Sequence, residues 1–159
     1  MKIMVRPAVP EDCQRIRPLQ EEIARLHYEG RPDLFKNEAR FFTEEAFGQR
    51  LADPKHTVFV AEAEDGTVAG YAFAWVVSFK DHAAYVDFDG FYIDDICVLE
   101  TCRRQGVGTL LFEACKEKAK AQGCRFLDLG VWSFNKAAIA FYERQGMTER
   151  TRRMECFLV

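Results

Sequence analysis

The stretch CRRQGVGTLLFEACKEKAKAQG, Cys102–Gly123, decides the reading of this chain. Two arginines, Arg103 and Arg104, and two glycines, Gly106 and Gly108, fall within six residues. A helical repeat follows at once. Val107, Leu110, Leu111, Ala114 and Cys115 form one apolar stripe, with Glu113, Lys116, Glu117 and Lys120 on the wet side. The spacing predicts a helix from about Val107 to Gln122, stopped by Gly123. A helix N-terminus leaves backbone N–H groups without partners and carries roughly half a positive charge. Glycines let that backbone approach a ligand, and the arginines add formal charge. The loop is therefore shaped to hold an anion such as phosphate or pyrophosphate.

Three phosphate-binding patterns compete for it. A P-loop needs G-x-x-x-x-G-K-[ST], and no lysine stands at that spacing. A dinucleotide fingerprint needs a third glycine, where this chain has Leu111, and it follows the first strand of a β-α-β unit, where this chain has hairpins. The coenzyme A loop of acyltransferases has the pattern [QR]-x-x-G-x-[GA], which Arg103, Gly106 and Gly108 satisfy.

Working outward, KIMVRPA at the start reads as a short strand. Asp12 is placed to cap a helix carrying Ile16, Leu19, Ile23 and Leu26, which Pro18 kinks or splits. Residues 31–41 read as a loop. A second helix follows, with Thr43 as its cap and Asp53-Pro54 as its stop. HTVFVAEA and TVAGYAFAWVVSFK read as a hairpin turning at Glu64-Asp65-Gly66. AAYVDFDGFYIDDICVL continues the strands, with a turn or bulge expected at Asp89-Gly90. After the central helix, RFLDLGVWS is a strand with Leu127, Leu129 and Val131 on one face. Asn135 caps a helix that Gly146 ends, and MTERTRRMECFLV closes the chain as one or two strands. The expected order is β-α-α-β-β-β-α-β-α-β. That is an α/β fold, a mixed and mostly antiparallel central sheet with helices on both faces.

The totals set limits. With 159 residues the chain is expected to form a single domain over 1–159. Its net charge of −3 argues against a nucleic-acid partner. Neither a signal peptide nor an apolar run of about 18 residues is present, so no membrane partner is expected. Cys13, Cys97, Cys102, Cys115, Cys124 and Cys156 form no C-x-x-C pair and no zinc spacing with the three histidines. A cytoplasmic, reduced chain without a metal site is the expectation.

IDDICVLETCRRQGVGTLLFEACKEKAKAQG resembles the central strand, glycine loop and helix of the GNAT-type N-acetyltransferase superfamily. NKAAIAFYERQGM resembles its next motif, N-x-x-A-x-x-F-Y-x-x-x-G-[FM]. The order of elements is similar to that fold over nearly the whole chain. The resemblance implies transfer of acetyl from acetyl-CoA to a primary amine. It implies that Ile96, Cys97 and Val98 offer backbone groups to the pantetheine arm. Arg103, Arg104, Gln105, Gly106, Val107, Gly108 and Thr109 would hold the pyrophosphate. Asn135 and Ala138 would touch the arm, and the Tyr142 phenol would meet the sulfur as general acid.

An amine must lose a proton to attack, so a carboxylate is needed nearby. Asp94 and Asp95 are the candidates. Strand alternation sends them to opposite faces, so only one can face the amine. In the polyamine branch of the family an acid matching Asp94 is the base. An acid matching Asp95 is common across the superfamily, and the choice between the two stays open. His27, Tyr28, Asp33 and Phe35 are candidates to line the acceptor pocket. Asp81, Asp87, Asp89, Asp94 and Asp95 give the hairpin region an acidic bias that suits a small cationic acceptor. Exposed aromatics such as Phe79 and Phe88 suggest a homodimer. A protein N-terminus or lysine as acceptor, and a non-catalytic acyl-CoA sensor, are the competing readings.

Overall fold

Five strands pair in chain order, β1-β2-β3-β4-β5, in a computed structural model that describes residues 2–38 and 41–158. Ala39 and Arg40, within the loop read over 31–41, lie outside the described residues. The strands are β1 Ile3–Pro7, β2 His56–Ala63, β3 Val68–Phe79, β4 Phe88–Val98 and β5 Phe126–Leu129. The helices are α1 Asp12–Arg15, α2 Arg17–Gly30, α3 Glu44–Ala52, α4 Val107–Ala121 and α5 Lys136–Arg144. Neighbouring strands are antiparallel except β4 and β5, which run parallel because α4 carries the chain back between them.

Period-two alternation along β3 divides the molecule into two cores. Ala72 and Ala74 face α4 with Phe91, Ile93, Leu111 and Cys115, whereas Tyr71 and Phe73 face α1–α3 with Ile16, Leu19 and Phe47. Helices thus cover both sheet faces, as expected. Gly70 sets how closely α4 approaches the sheet. A Cβ there would stand 2.9 Å from the Cys97 carbonyl and 2.9 Å from Leu111 Cδ1. Gly70→Ala is expected to destabilise the fold by about 1–3 kcal/mol through overpacking. A denaturant midpoint unmoved from the native chain's would refute that close approach.

Local chemistry explains most boundaries. Pro18 lies in the first turn of α2, and the expected split falls just before it, at Ile16. Thr43 caps α3 by accepting the Ala46 N–H at 3.1 Å, and Asn135 caps α5 by accepting the Ala138 N–H at 3.1 Å. Gly66, Gly123 and Gly146 take positive φ where the hairpin and the two helices turn.

Five expectations need correction. Asp12 caps nothing. It is fully buried, accepts the Val9 N–H at 2.9 Å and pairs with Arg6 and Arg15. Leu110 is exposed and Phe112 buried, because α4 is packed by α5 as well as by the sheet and Phe112 meets Phe141 and Tyr142 there. Asp89-Gly90 pairs in straight register with Ser78 and Val77, and the bulge lies at Asp94 instead. β5 stops at Leu129, which leaves Val131 exposed. Residues 147–158 form no strand: Glu149 pairs with Arg152 along its own stretch, Arg150 with Asp128, and no ladder forms.

Candidate active site

The glycine loop is built mainly to seat the start of α4. Arg104 and Gly106 take left-handed backbone, φ 60° and 84°, which turns the chain sharply into the helix. Gly106 is the N-cap, no side chain caps the helix, and nothing stands within 4 Å of where a Gly106 Cβ would be. The first turn of α4 thus keeps N–H groups that no side chain caps, and the backbone at Gly106 is open to approach, as an anion cradle requires. Gly108 serves packing: its Cβ would meet Phe141 of α5 at 3.2 Å. Val107 is buried in the core beneath.

Loop side chains are partly committed to the protein. Arg103 Nε donates to the Val98 carbonyl at 3.0 Å, and its Nη2 reaches Glu22 of α2 at 3.1 Å. Gln105 donates to the Thr101 carbonyl at 3.1 Å, and Thr109 accepts from Gln145 at 3.3 Å. Arg104 is exposed and makes no ion pair among the described residues. Of the two arginines, it is the one whose charge is left for a ligand, while Arg103 locks the loop to the strand end.

β4 supplies the decisive geometry. Against β3 it pairs all the way to Val98, but against β5 only from Gly90 to Ile93. The strands part just where β4 bulges. Phe73 pairs with Asp95 and Ala74 with Ile93, so Asp94 is the extra residue. Tyr92, opposite Trp75, and Asp95, opposite Phe73, consequently share the α1–α3 face. The expectation that alternation separates Asp94 from Asp95 fails here, because the bulge interrupts the period. Asp94 is exposed beside that face and feels the Arg50 guanidinium of α3.

Their environments differ. Burial pushes the Asp95 carboxyl up to about 6, against the hydrogen bond from the Tyr71 hydroxyl, and Asp94's charge adds to the rise. Asp94 is raised by partial loss of water, opposed by Arg50, and no hydrogen bond from the described residues holds its side chain. The Cys97 thiol is buried, donates to the Leu19 carbonyl at 3.3 Å, and is pushed well up by burial. It packs as a small hydrophobe. Tyr142 leans on Phe112 and Phe141. Burial, then the charge of Asp95, keeps its phenol protonated.

Helix α2 spans the parting strands. Its start lies on the end of β4, through Leu19 and Glu22. Its end meets the loop after β5, where Gly30 lies against the Phe134 ring. The candidate acceptor residues sit at this second end. His27 stacks on Phe35 at 4.9 Å and meets Phe134 edge-on, while Phe35 meets Trp132 at 5.3 Å. Burial holds the His27 imidazole below its usual value. Asp33 is tied to Arg31, and Tyr28 is half-buried on α2. This cluster lies at the C-terminal end of α2, apart from the two carboxylates.

A groove of about 320 Å³ runs along the α1–α3 face between Val77, Phe79, Phe88, Tyr92, Phe126 and Asp128, with Arg150 at its rim. Phe79 and Phe88, expected to be exposed, stack on each other at 4.7 Å and line it. Part of the acidic bias is neutralised locally: Asp89 meets Lys80 at 3.6 Å, and Asp87 accepts the Asp81 N–H. Tyr71, Glu22 and Arg50 hold or surround the site without any motif to announce them. Only the strand register brings them to it. Among the described residues no group of three or more His, Cys, Asp or Glu side chains could hold a metal ion. No helix among them is long and apolar enough to cross a membrane.

A parted parallel strand pair, an uncapped helix over a glycine turn, and a buried phenol that feels the charge of Asp95 are the features of an acyltransferase. Residues 16–147 match the model of the acetyltransferase (GNAT) family, and the chain belongs to that family. It is 28% identical to thialysine N-epsilon-acetyltransferase of Bos taurus over 158 residues, 94% of this chain and 86% of the relative. It is 34% identical over 97 residues to the L-ornithine N5-acetyltransferase NATA1 of Arabidopsis thaliana. That match takes in 60% of this chain but only 41% of the plant protein's length. A crystal structure of a mutant BH1408 protein from Bacillus halodurans superposes with a TM-score of 0.93 at 29% identity, over 98% of this chain and 99% of that one.

Proposed function

We propose that residues 1–159 act as one domain that transfers acetyl from acetyl-CoA to a primary amine of a small cationic molecule, by direct attack in a ternary complex. The observation that carries the reading is the free edge of β4. Beyond Ile93 the strand has lost β5, so the β4 edge at Ile96, Cys97 and Val98 has no strand paired on that side, with the Val98 carbonyl accepting from Arg103 of the loop that leads to α4. An extended arm fits there as an added strand would. The pyrophosphate would lie on the N–H groups of Gly106, Val107, Gly108 and Thr109, with Arg104 adding charge. Arg103 and Gln105 hold that loop in shape, and Asn135 and Ala138 flank the arm at the start of α5.

Acetyl-CoA supplies the acetyl thioester and the leaving thiolate. Asp94, exposed and with no side-chain hydrogen bond among the described residues, takes one proton from the ammonium and so frees the lone pair that forms the new N–C bond. The second nitrogen proton leaves as the amide forms and, through solvent, replaces the one that Tyr142 gives to sulfur. Asp95, pinned by Tyr71, keeps negative charge behind it and favours a cationic acceptor. A β4 N–H polarises the carbonyl oxygen as charge develops there. As the C–S bond breaks, the Tyr142 hydroxyl donates its proton to sulfur. The groove beside Tyr92 offers the acceptor a way in. That relatives are named for acting on thialysine and ornithine supports a small acceptor bearing an amine. The reading extends to a cytoplasmic setting, consistent with six unpaired cysteines. It also includes a homodimer, in which a second copy would cover Met154, Phe157 and Leu158, each at least 70% exposed.

The test is thiol release from acetyl-CoA with polyamines, aminoglycosides, amino acids and basic peptides. Turnover with small amines supports the proposal, turnover confined to peptides favours a protein acceptor, and tight binding without turnover favours a sensor. Tyr142→Phe is expected to lower kcat about 10²-fold while the KM for acetyl-CoA moves little, since one proton donor is lost and no binding group. An unchanged kcat would remove Tyr142 from the mechanism.

A further inference from the structure

Arg50, in the last turn of α3, is an ion without a counter-ion among the described residues. Its guanidinium lies over Phe42 at 4.4 Å, Phe73 at 5.3 Å and Trp75 at 5.7 Å, measured to the ring centroids. Nη1 is buried and has no hydrogen-bond partner. Arg6 and Arg15 share Asp12 and Glu62, Arg31 has Asp33, and Arg103 has Glu22. Arg17 has no carboxylate among the described residues either and leaves its Nε buried without a partner, but its Nη2 donates to the Phe42 carbonyl at 3.2 Å and it lies away from the two carboxylates of β4, over Phe41. Arg50 has only aromatic faces. Those faces stabilise a cation, but they also strip its water and leave its planar fork of donors under-used.

Its surroundings belong to the proposed site. Phe73 pairs with Asp95 across the strands, and Trp75 packs on Tyr92 at 5.2 Å. Tyr92 borders the groove, and the Arg50 charge is felt at Asp94, although the two form no ion pair. One face therefore presents a carboxylate pair for an amine and, beside it, a guanidinium that no acid of the described chain satisfies. A guanidinium fork matches a carboxylate in shape and charge.

We propose that Arg50 is the receptor for a carboxylate on the acceptor, so that the substrate is an amino acid acetylated on its side-chain amine rather than a simple polyamine. This rests on the acetyltransferase reading above and narrows its acceptor class. Asp94 and Asp95 would address the amine end while Arg50 fixes the acid end, so chain length between the two sets which amine reaches the thioester.

Matched acceptors test it. L-ornithine and L-lysine differ from 1,4-diaminobutane and 1,5-diaminopentane only by the carboxylate. For the native chain, kcat/KM is expected to favour the amino acid of each pair by about tenfold or more, the worth of one charge-assisted contact. In Arg50→Met, which keeps the stem among the aromatic rings, that ratio should collapse to near one, and Arg50→Lys should keep part of it. Diamines used as well as amino acids by the native chain would overturn the proposal, as would an unchanged ratio in Arg50→Met. Trp75 provides a readout that needs no turnover. L-ornithine should change tryptophan fluorescence saturably in the native chain and not in Arg50→Met. If that change occurs without acetyl transfer to any amine, the carboxylate site stands and the transferase reading falls. If L-ornithine neither binds nor reacts while other amines are acetylated, the carboxylate site falls alone.

Discussion

Asp12→Ala is expected to lower stability by about 3 kcal/mol, the low end of what truncating a buried ion pair costs. Asp12 is fully buried and has three partners, the Arg6 and Arg15 guanidiniums and the Val9 N–H. The loss stays at the low end because Glu62 still pairs with both arginines in the variant. For a chain of this size that corresponds to a melting temperature lower by roughly 6–12 °C. Burial alone would raise the Asp12 carboxyl, but the hydrogen bonds from Arg6 and Val9 and both positive charges more than offset it, so the folded-state value is depressed. A depressed acid adds stability that is complete above its unfolded value of about 3.9 and is lost as pH falls through the lower folded value. The gap between native chain and variant should therefore hold from neutral pH down to about 4 and close below that. Urea melts at several pH values check this. A gap that is small at pH 7, or that widens in acid, would mean the cluster is not the lock that joins α1 to β1 and β2.

That lock illustrates what local patterning reveals and what it hides. Asp12 was legible as a residue that organises the first helix, but not as the centre of an ion cluster. Its partners Arg6 and Glu62 come together only when β1 pairs with β2. Thr43 and Asn135 were readable as caps because a cap acts on an N–H three residues away. The glycine loop was readable for the same reason: left-handed turns and helix starts are local. Gly108 was legible as a position without a side chain, yet its neighbour Phe141 lies on another helix. Apolar residues near Cys156 suggest a strand in the final stretch, whereas a strand also needs a partner, and none of the described residues pairs with it. Arg50 carried no signal at all. Its meaning lies in having aromatic neighbours from β3 and from the loop before α3, and no acid among the described residues paired with it.

Asp94→Asn is the change expected to affect catalysis most. One inserted residue separates two ways of presenting DD in a strand. Without the bulge, Asp94 and Asp95 would alternate and one would face α4. With it, Asp95 is buried against Tyr71, and Asp94 stands free beside it where the strands part. The free carboxylate is the one able to take a proton from an incoming ammonium. Removing it should lower kcat/KM at pH 7 by between about 10² and 10⁴-fold, the span of a positioned general base. Acetyl-CoA affinity should stay close to native, since its cradle is elsewhere. Loss of water raises the Asp94 carboxyl, so the native rate should fall in acid along a limb that begins above the usual carboxylate range. Asp94→Asn would lack that limb. Its rate should instead climb about tenfold per pH unit toward the amine's own pKa near 10, as free amine accumulates without help. The two profiles should therefore converge in alkali. Parallel profiles would mean that Asp94 contributes charge but moves no proton. A variant within threefold of native at pH 7 would pass the role to Asp95, whose burial and bond to Tyr71 would then have to open before each turnover.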